Sequence, residues 1–96
     1  MDLENLVKLK REEILEIAAM HGASNVRIFG SVARGEADER SDIDNLVTFE
    51  SGSSLLNHSA LMLDLEALLG CKVNVVNEKG LRPRMKETVL QDAQPL

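Results

Sequence analysis

Ninety-six residues allow one domain over 1–96, because a single core of this kind usually occupies about 100 residues. Hydrophobic residues at 44% and charged residues at 28% exclude a disordered chain, and a net charge of −5 argues against a protein that reads DNA. Phe29 and Phe49 are the whole aromatic complement, so the core must be aliphatic and there is no platform for stacking single-stranded nucleic acid. A single cysteine, Cys71, rules out an internal disulfide and a cysteine-based zinc site. No apolar run approaches the roughly 18 residues of a membrane span, and the opening Met-Asp-Leu-Glu lacks a basic segment. The expected compartment is the cytoplasm.

The periodicity of Leu3, Leu6, Val7, Ile14, Ile17 and Ala18 predicts an amphipathic helix over 2–21, stopped by Gly22. Residues 25–29 read as a strand that ends abruptly at Gly30-Ser31, with one helical turn before Gly35 and a polar loop over 35–41. A second strand follows at 42–49. After a turn at 50–54, whose serines suit a helix cap, comes the most apolar helix, 54–69, closed by Gly70. A third strand covers 71–77. The last helix runs from about Leu81 to Gln91, with Pro83 tolerated in its first turn. Such an order predicts an α/β domain, a small mixed sheet with helices packed on it.

Chemistry concentrates in residues 30–44. A strand ending in Gly30-Ser31 and turning into a helix presents free backbone N–H groups and a hydroxyl at a positive dipole end, which suits phosphate. Asp42 and Asp44, two apart on the next strand, point to the same side. Side-by-side carboxylates repel, and Mg²⁺ is the usual remedy, since it takes one or two carboxylates and completes its shell with water and phosphate oxygens. Together these parts are the equipment of nucleotide phosphoryl chemistry. Two competing motifs fail. Gly30-x4-Gly35 lacks the Lys-Ser/Thr of a P-loop, having Glu36-Ala37 there, and Asp42-x-Asp44 is followed by Val47 and Ser53 where a calcium loop needs Gly and Glu. By average residue usage, Gly-Ser-x10-Asp-x-Asp arises by chance about once in a thousand chains of this length, so a function is the better reading.

Gly30-Ser31-x10-Asp42-x-Asp44, with Ala33-Arg34-Gly35 and Ser41-Asp42-Ile43-Asp44, resembles the minimal nucleotidyltransferases of the DNA polymerase β superfamily. The likeness extends through Leu-Gly-Cys-Lys-Val at 69–73 and Lys-Gly-Leu-Arg-Pro at 79–83. It implies that Gly30 and Ser31 hold the triphosphate of ATP and that Asp42 and Asp44 are the catalytic residues that ligate the metal. It also implies an antitoxin paired with a HEPN-type toxin, a ribonuclease silenced by transfer of AMP to a tyrosine. The chain departs from the family at two positions. Asn74 stands where a third carboxylate is usual, on the side of the third strand opposite Val73 and Val75, where it can meet Asp42 and Asp44. Asn45 stands where an apolar residue is usual; it shares a side with Ile43 and Val47, where an unpartnered amide is costly. An amide coordinates metal weakly and cannot take a proton from an attacking hydroxyl. The alternative is therefore a weakened nucleotide-binding module that regulates its partner by contact.

His21, His58 and Cys71 read as structural residues, and Arg82, Arg84 and Lys86 as a solvated helix face. Arg34 either touches phosphate or braces its loop through Asp38 or Glu39. Leucines beyond those needed for the core in 54–69 are available to a helical partner, and the oligomeric state stays open.

Overall fold

In the computed structural model of the chain, which describes residues 2–38 and 40–96, the amphipathic N-terminal segment is two helices. They are α1 (Leu3–Leu9) and α2 (Arg11–Met20), joined at Lys10, and so the single helix over 2–21 is corrected. The break falls where the apolar stripe lapses. From Lys8 to Glu13 the only apolar residue is Leu9, and it is exposed, so nothing there holds a continuous helix to the core. Asp2 caps α1 by accepting from the Asn5 backbone N–H at 2.8 Å, and Gly22, at φ +74°, ends α2.

Strand β1 (Ala23–Phe29) starts two residues earlier than its periodicity suggests, with a bulge between Ser24 and Arg27 where Asn25 takes φ +51°. It leads into the single turn α3 (Gly30–Ala33). Strand β2 (Ile43–Phe49) lies antiparallel to β1, and β3 (Val73–Asn77) lies parallel to β2. A parallel pair needs a crossover, which α4 (Leu55–Leu69) supplies. Ser54 starts that helix, its backbone N–H and hydroxyl both donating to Asn57 Oδ1 at 3.0 Å; Gly70 closes it. A 3-10 turn (Glu78–Gly80), α5 (Pro83–Asp92) and a two-residue strand β4 (Gln94–Pro95) complete the chain. The sheet order is β3-β2-β1-β4, with β4 antiparallel to β1.

One side of the sheet carries Ile43, Asn45, Val47, Val73 and Val75 against Ile14 and Ala18 of α2 and Leu61, Leu65 and Leu69 of α4, which is the core. The other side carries Arg27, Asp44 and Leu46, beneath α5 and the 3-10 turn. Buried Arg27 holds that turn down: its Nη1 donates to Glu78 Oε1 at 2.9 Å, which keeps the Glu78 carboxyl below the usual carboxylate range. His21 Nε2 pairs with a residue from far along the chain, Asp64 Oδ2 at 2.6 Å. His58 stacks on Phe49 with ring centroids 5.5 Å apart.

Asn45 lies in the core at 1% exposure, and neither amide atom has a hydrogen-bond partner. Leaving such a group unsatisfied costs about 1–3 kcal/mol. Asn45→Val introduces a strand-forming apolar side chain, and we expect it to stabilise the fold by about 1 kcal/mol or more, read as a higher urea midpoint. A lower midpoint would show that the amide is satisfied in solution.

Candidate active site

Glycine is required at position 30. The chain leaves β1 there with φ +74°, a left-handed backbone that side chains disfavour. A Cβ at this point would also collide with Asp44 Oδ2, so the carboxylate rests directly against the turn. Ser31 follows in α3, half-buried; the leading amides of such a turn have no intrahelical acceptor. The turn closes through Arg34 N donating to Gly30 O at 3.1 Å and Glu36 N donating to Ser31 O at 2.9 Å.

Asp44 lies on β2 opposite Phe29 of β1 and Asn74 of β3 in the strand register. Asn74 Nδ2 donates to Asp44 Oδ1 at 2.9 Å and to Asp42 Oδ2 at 3.3 Å. One nitrogen touching both carboxylates places Asp42 and Asp44 within reach of a single cation. All three side chains are half-buried, open enough to meet solvent and sheltered enough to strengthen charge interactions. Among the described residues no three His, Cys, Asp or Glu side chains converge, so a cation held here relies on two carboxylates and an amide. The donor set is all oxygen once the amide presents Oδ1, and it fits a hard divalent ion.

The loop beyond the turn is braced by Arg34, through partners other than Asp38. Arg34 donates through Nε to Glu36 Oε2 at 2.9 Å and through Nη1 to Asp92 Oδ2 at 2.6 Å, tying the loop to the end of α5. Asp38 instead accepts from Arg40 N at 2.8 Å and from the Ser41 hydroxyl at 3.2 Å, setting up the approach to Asp42; Glu39 lies outside the described residues. Gln94 adds a bond to Ala33 O at 3.3 Å. These ties from the C-terminal segment were not legible in the sequence, because no local spacing links 33–34 to 92–94. Burial, with Asp42 and Glu66 nearby, pushes the Cys71 thiol up from its ordinary value, so it stays protonated as a packing residue.

Residues 10–96 match the profile of the nucleotidyltransferase domain. The chain belongs to that family. Protein adenylyltransferase MntA of Thermococcus cleftensis is 38% identical over 91 residues, which are 95% of this chain and 89% of that one. A solved structure described as a "putative minimal nucleotidyltransferase" superimposes with a TM-score of 0.89 at 57% identity, over all of this chain and 97% of the other. The same fold recurs in a toxin–antitoxin structure with AMP-PNP, TM-score 0.75, over 98% of this chain and 72% of that one; at 18% identity it shows the fold alone. The nucleotidyltransferase is thus an α/β enzyme domain. Among its described residues no helix is long and apolar enough to cross a membrane.

Proposed function

We propose that this nucleotidyltransferase, acting as one domain over 1–96 in the cytoplasm, moves AMP from ATP to a side-chain hydroxyl of a partner protein and depends on Mg²⁺. The partner is a HEPN-type toxin, the acceptor a tyrosine, and the chain its antitoxin. The observation that carries this is the convergence of Asp42 and Asp44 on one point beside the Gly30 turn. The adenylyltransferase name of the Thermococcus relative and the AMP-PNP in the toxin–antitoxin structure support it.

Gly30 and Ser31 receive the triphosphate on backbone amides and the serine hydroxyl. Asp42 and Asp44 hold the cation, with Asn74 beside them. When bound, Mg²⁺ neutralises phosphate charge and orients the α-phosphoryl group. The acceptor oxygen bonds to the α-phosphorus, the α–β phosphoanhydride bond breaks, pyrophosphate leaves, and the hydroxyl proton passes to solvent or to a base on the partner. Exposed Leu55, Leu56 and Leu63 on α4 give a helical partner an apolar surface.

A second reading rests on Asn74 itself. Its amide cannot serve as general base, so the chain would bind nucleotide and restrain its partner by contact alone. Calorimetry of ATP with and without Mg²⁺, followed by labelled-AMP transfer to the co-expressed neighbouring gene product, separates the cases. We expect tight binding only with Mg²⁺ and labelled partner. Equal affinity in both conditions sinks the metal-bridged site, and binding without transfer selects the regulatory module.

A further inference from the structure

Carboxylates can only accept hydrogen bonds, so an asparagine wedged between two of them must turn its NH2 toward both. Asn74 does so, at 2.9 Å to Asp44 and 3.3 Å to Asp42. Those amide hydrogens carry partial positive charge at the point where the two carboxylates would grip a cation. A divalent ion arriving there repels them and attracts the amide oxygen. We propose that Asn74 is a turnable third arm of this site: its NH2 group bridges Asp42 and Asp44 before the metal binds, and rotation about the side-chain amide presents Oδ1 to the bound metal.

The proposal rests on the metal-dependent reading above and refines it. Two features of the chain make the turn feasible. Asn74 sits in β3 with its backbone fixed by the parallel register to Asp44, so only the terminal amide has to move. That torsion is broad and nearly two-fold, which places the two orientations close in intrinsic energy. Asp44 Oδ2 lies against the Gly30 turn, in the space that a Cβ at position 30 would fill. The consequence is a site that tolerates being empty. An aspartate at 74 would bring a third negative charge and no donor, so its repulsion would be relieved only by metal.

The test uses the full chain and Mg²⁺ alone. In wild type, the Asn74 Nδ2H2 signals in a ¹⁵N-labelled sample should shift as Mg²⁺ is added, together with the backbone amides of Asp42 and Asp44. Asn74→Leu, which has neither donor nor ligand, should bind Mg²⁺ at least tenfold more weakly. Asn74→Asp should bind at least tenfold more tightly, melt lower than wild type in chelator, and regain the difference with Mg²⁺. The wild-type spectrum decides the matter even where a variant folds poorly. If Mg²⁺ moves Asp42 and Asp44 while the Asn74 amide signals stay still and Asn74→Leu binds as wild type does, the turning arm is overturned and the metal site stands. If Mg²⁺ moves neither carboxylate position, with or without ATP, the metal-dependent reading falls and the arm falls with it.

Discussion

Replacing Asp42 and Asp44 together by Ala should lower AMP transfer by about 10²–10⁴-fold and erase the Mg²⁺ requirement of ATP binding. Each charge-assisted ligand contributes about 1.5–3 kcal/mol, and two acting on one ion give roughly 3–6 kcal/mol. The double variant also strips Asn74 of both acceptors in a half-buried place, which costs stability on the order of 1–3 kcal/mol. The pair Asp42→Asn with Asp44→Asn retains shape and hydrogen-bonding capacity while removing charge, and should lose transfer equally with a smaller stability penalty. Incorporation of labelled AMP into the partner is the measurement. Transfer within tenfold of wild type in either variant would show that the ion is held elsewhere.

Gly30→Ala should be nearly as damaging to transfer, by a different route. At φ +74° an alanine costs about 1–2 kcal/mol of backbone strain. Its Cβ also strikes Asp44 Oδ2, so the carboxylate to which Asn74 donates must shift. A misplacement of about 1 Å at such a centre is worth about 10²-fold. Gly35 supplies the control, since it has almost the same φ, +72°, with nothing within 4 Å of an added Cβ. Gly35→Ala should therefore lose comparable stability in urea and keep transfer. Equal transfer from the two variants would mean that the close approach to Asp44 is unimportant.

Local pattern carried most of what the site needs. The period of two that puts Asp42 and Asp44 on one side, and Asn74 opposite Val73 and Val75, is a property of any strand, and the register then brings all three together. The abrupt end of β1 at Gly30-Ser31 was legible for the same reason, since glycine before a polar residue marks a turn. The contact between Gly30 and Asp44 was hidden, because it depends on how β1 and β2 pair. Long-range ties escaped in the same way. Arg34 finds Asp92, His21 finds Asp64, and β4 joins the sheet edge, all across distances in sequence at which spacing says nothing. The split of the first helix at Lys10 could have been read from the polar run around it. Periodicity measured over the whole segment averaged it away.

Pairing Asp44 with Asn74 spans a 15-residue helix, and pairing Arg27 with Pro95 spans most of the chain. Contacts this distant in sequence close slowly, because loop entropy is lost before they form. On the ribosome, the Gly30 turn and both aspartates emerge well before the strand that carries Asn74. The carboxylates must then wait, unbridged, until α4 has folded across and delivered β3. The three-residue cluster is therefore complete only with the second half of the chain, so a stalled or truncated product would have the sequence motif without Asn74 between its carboxylates.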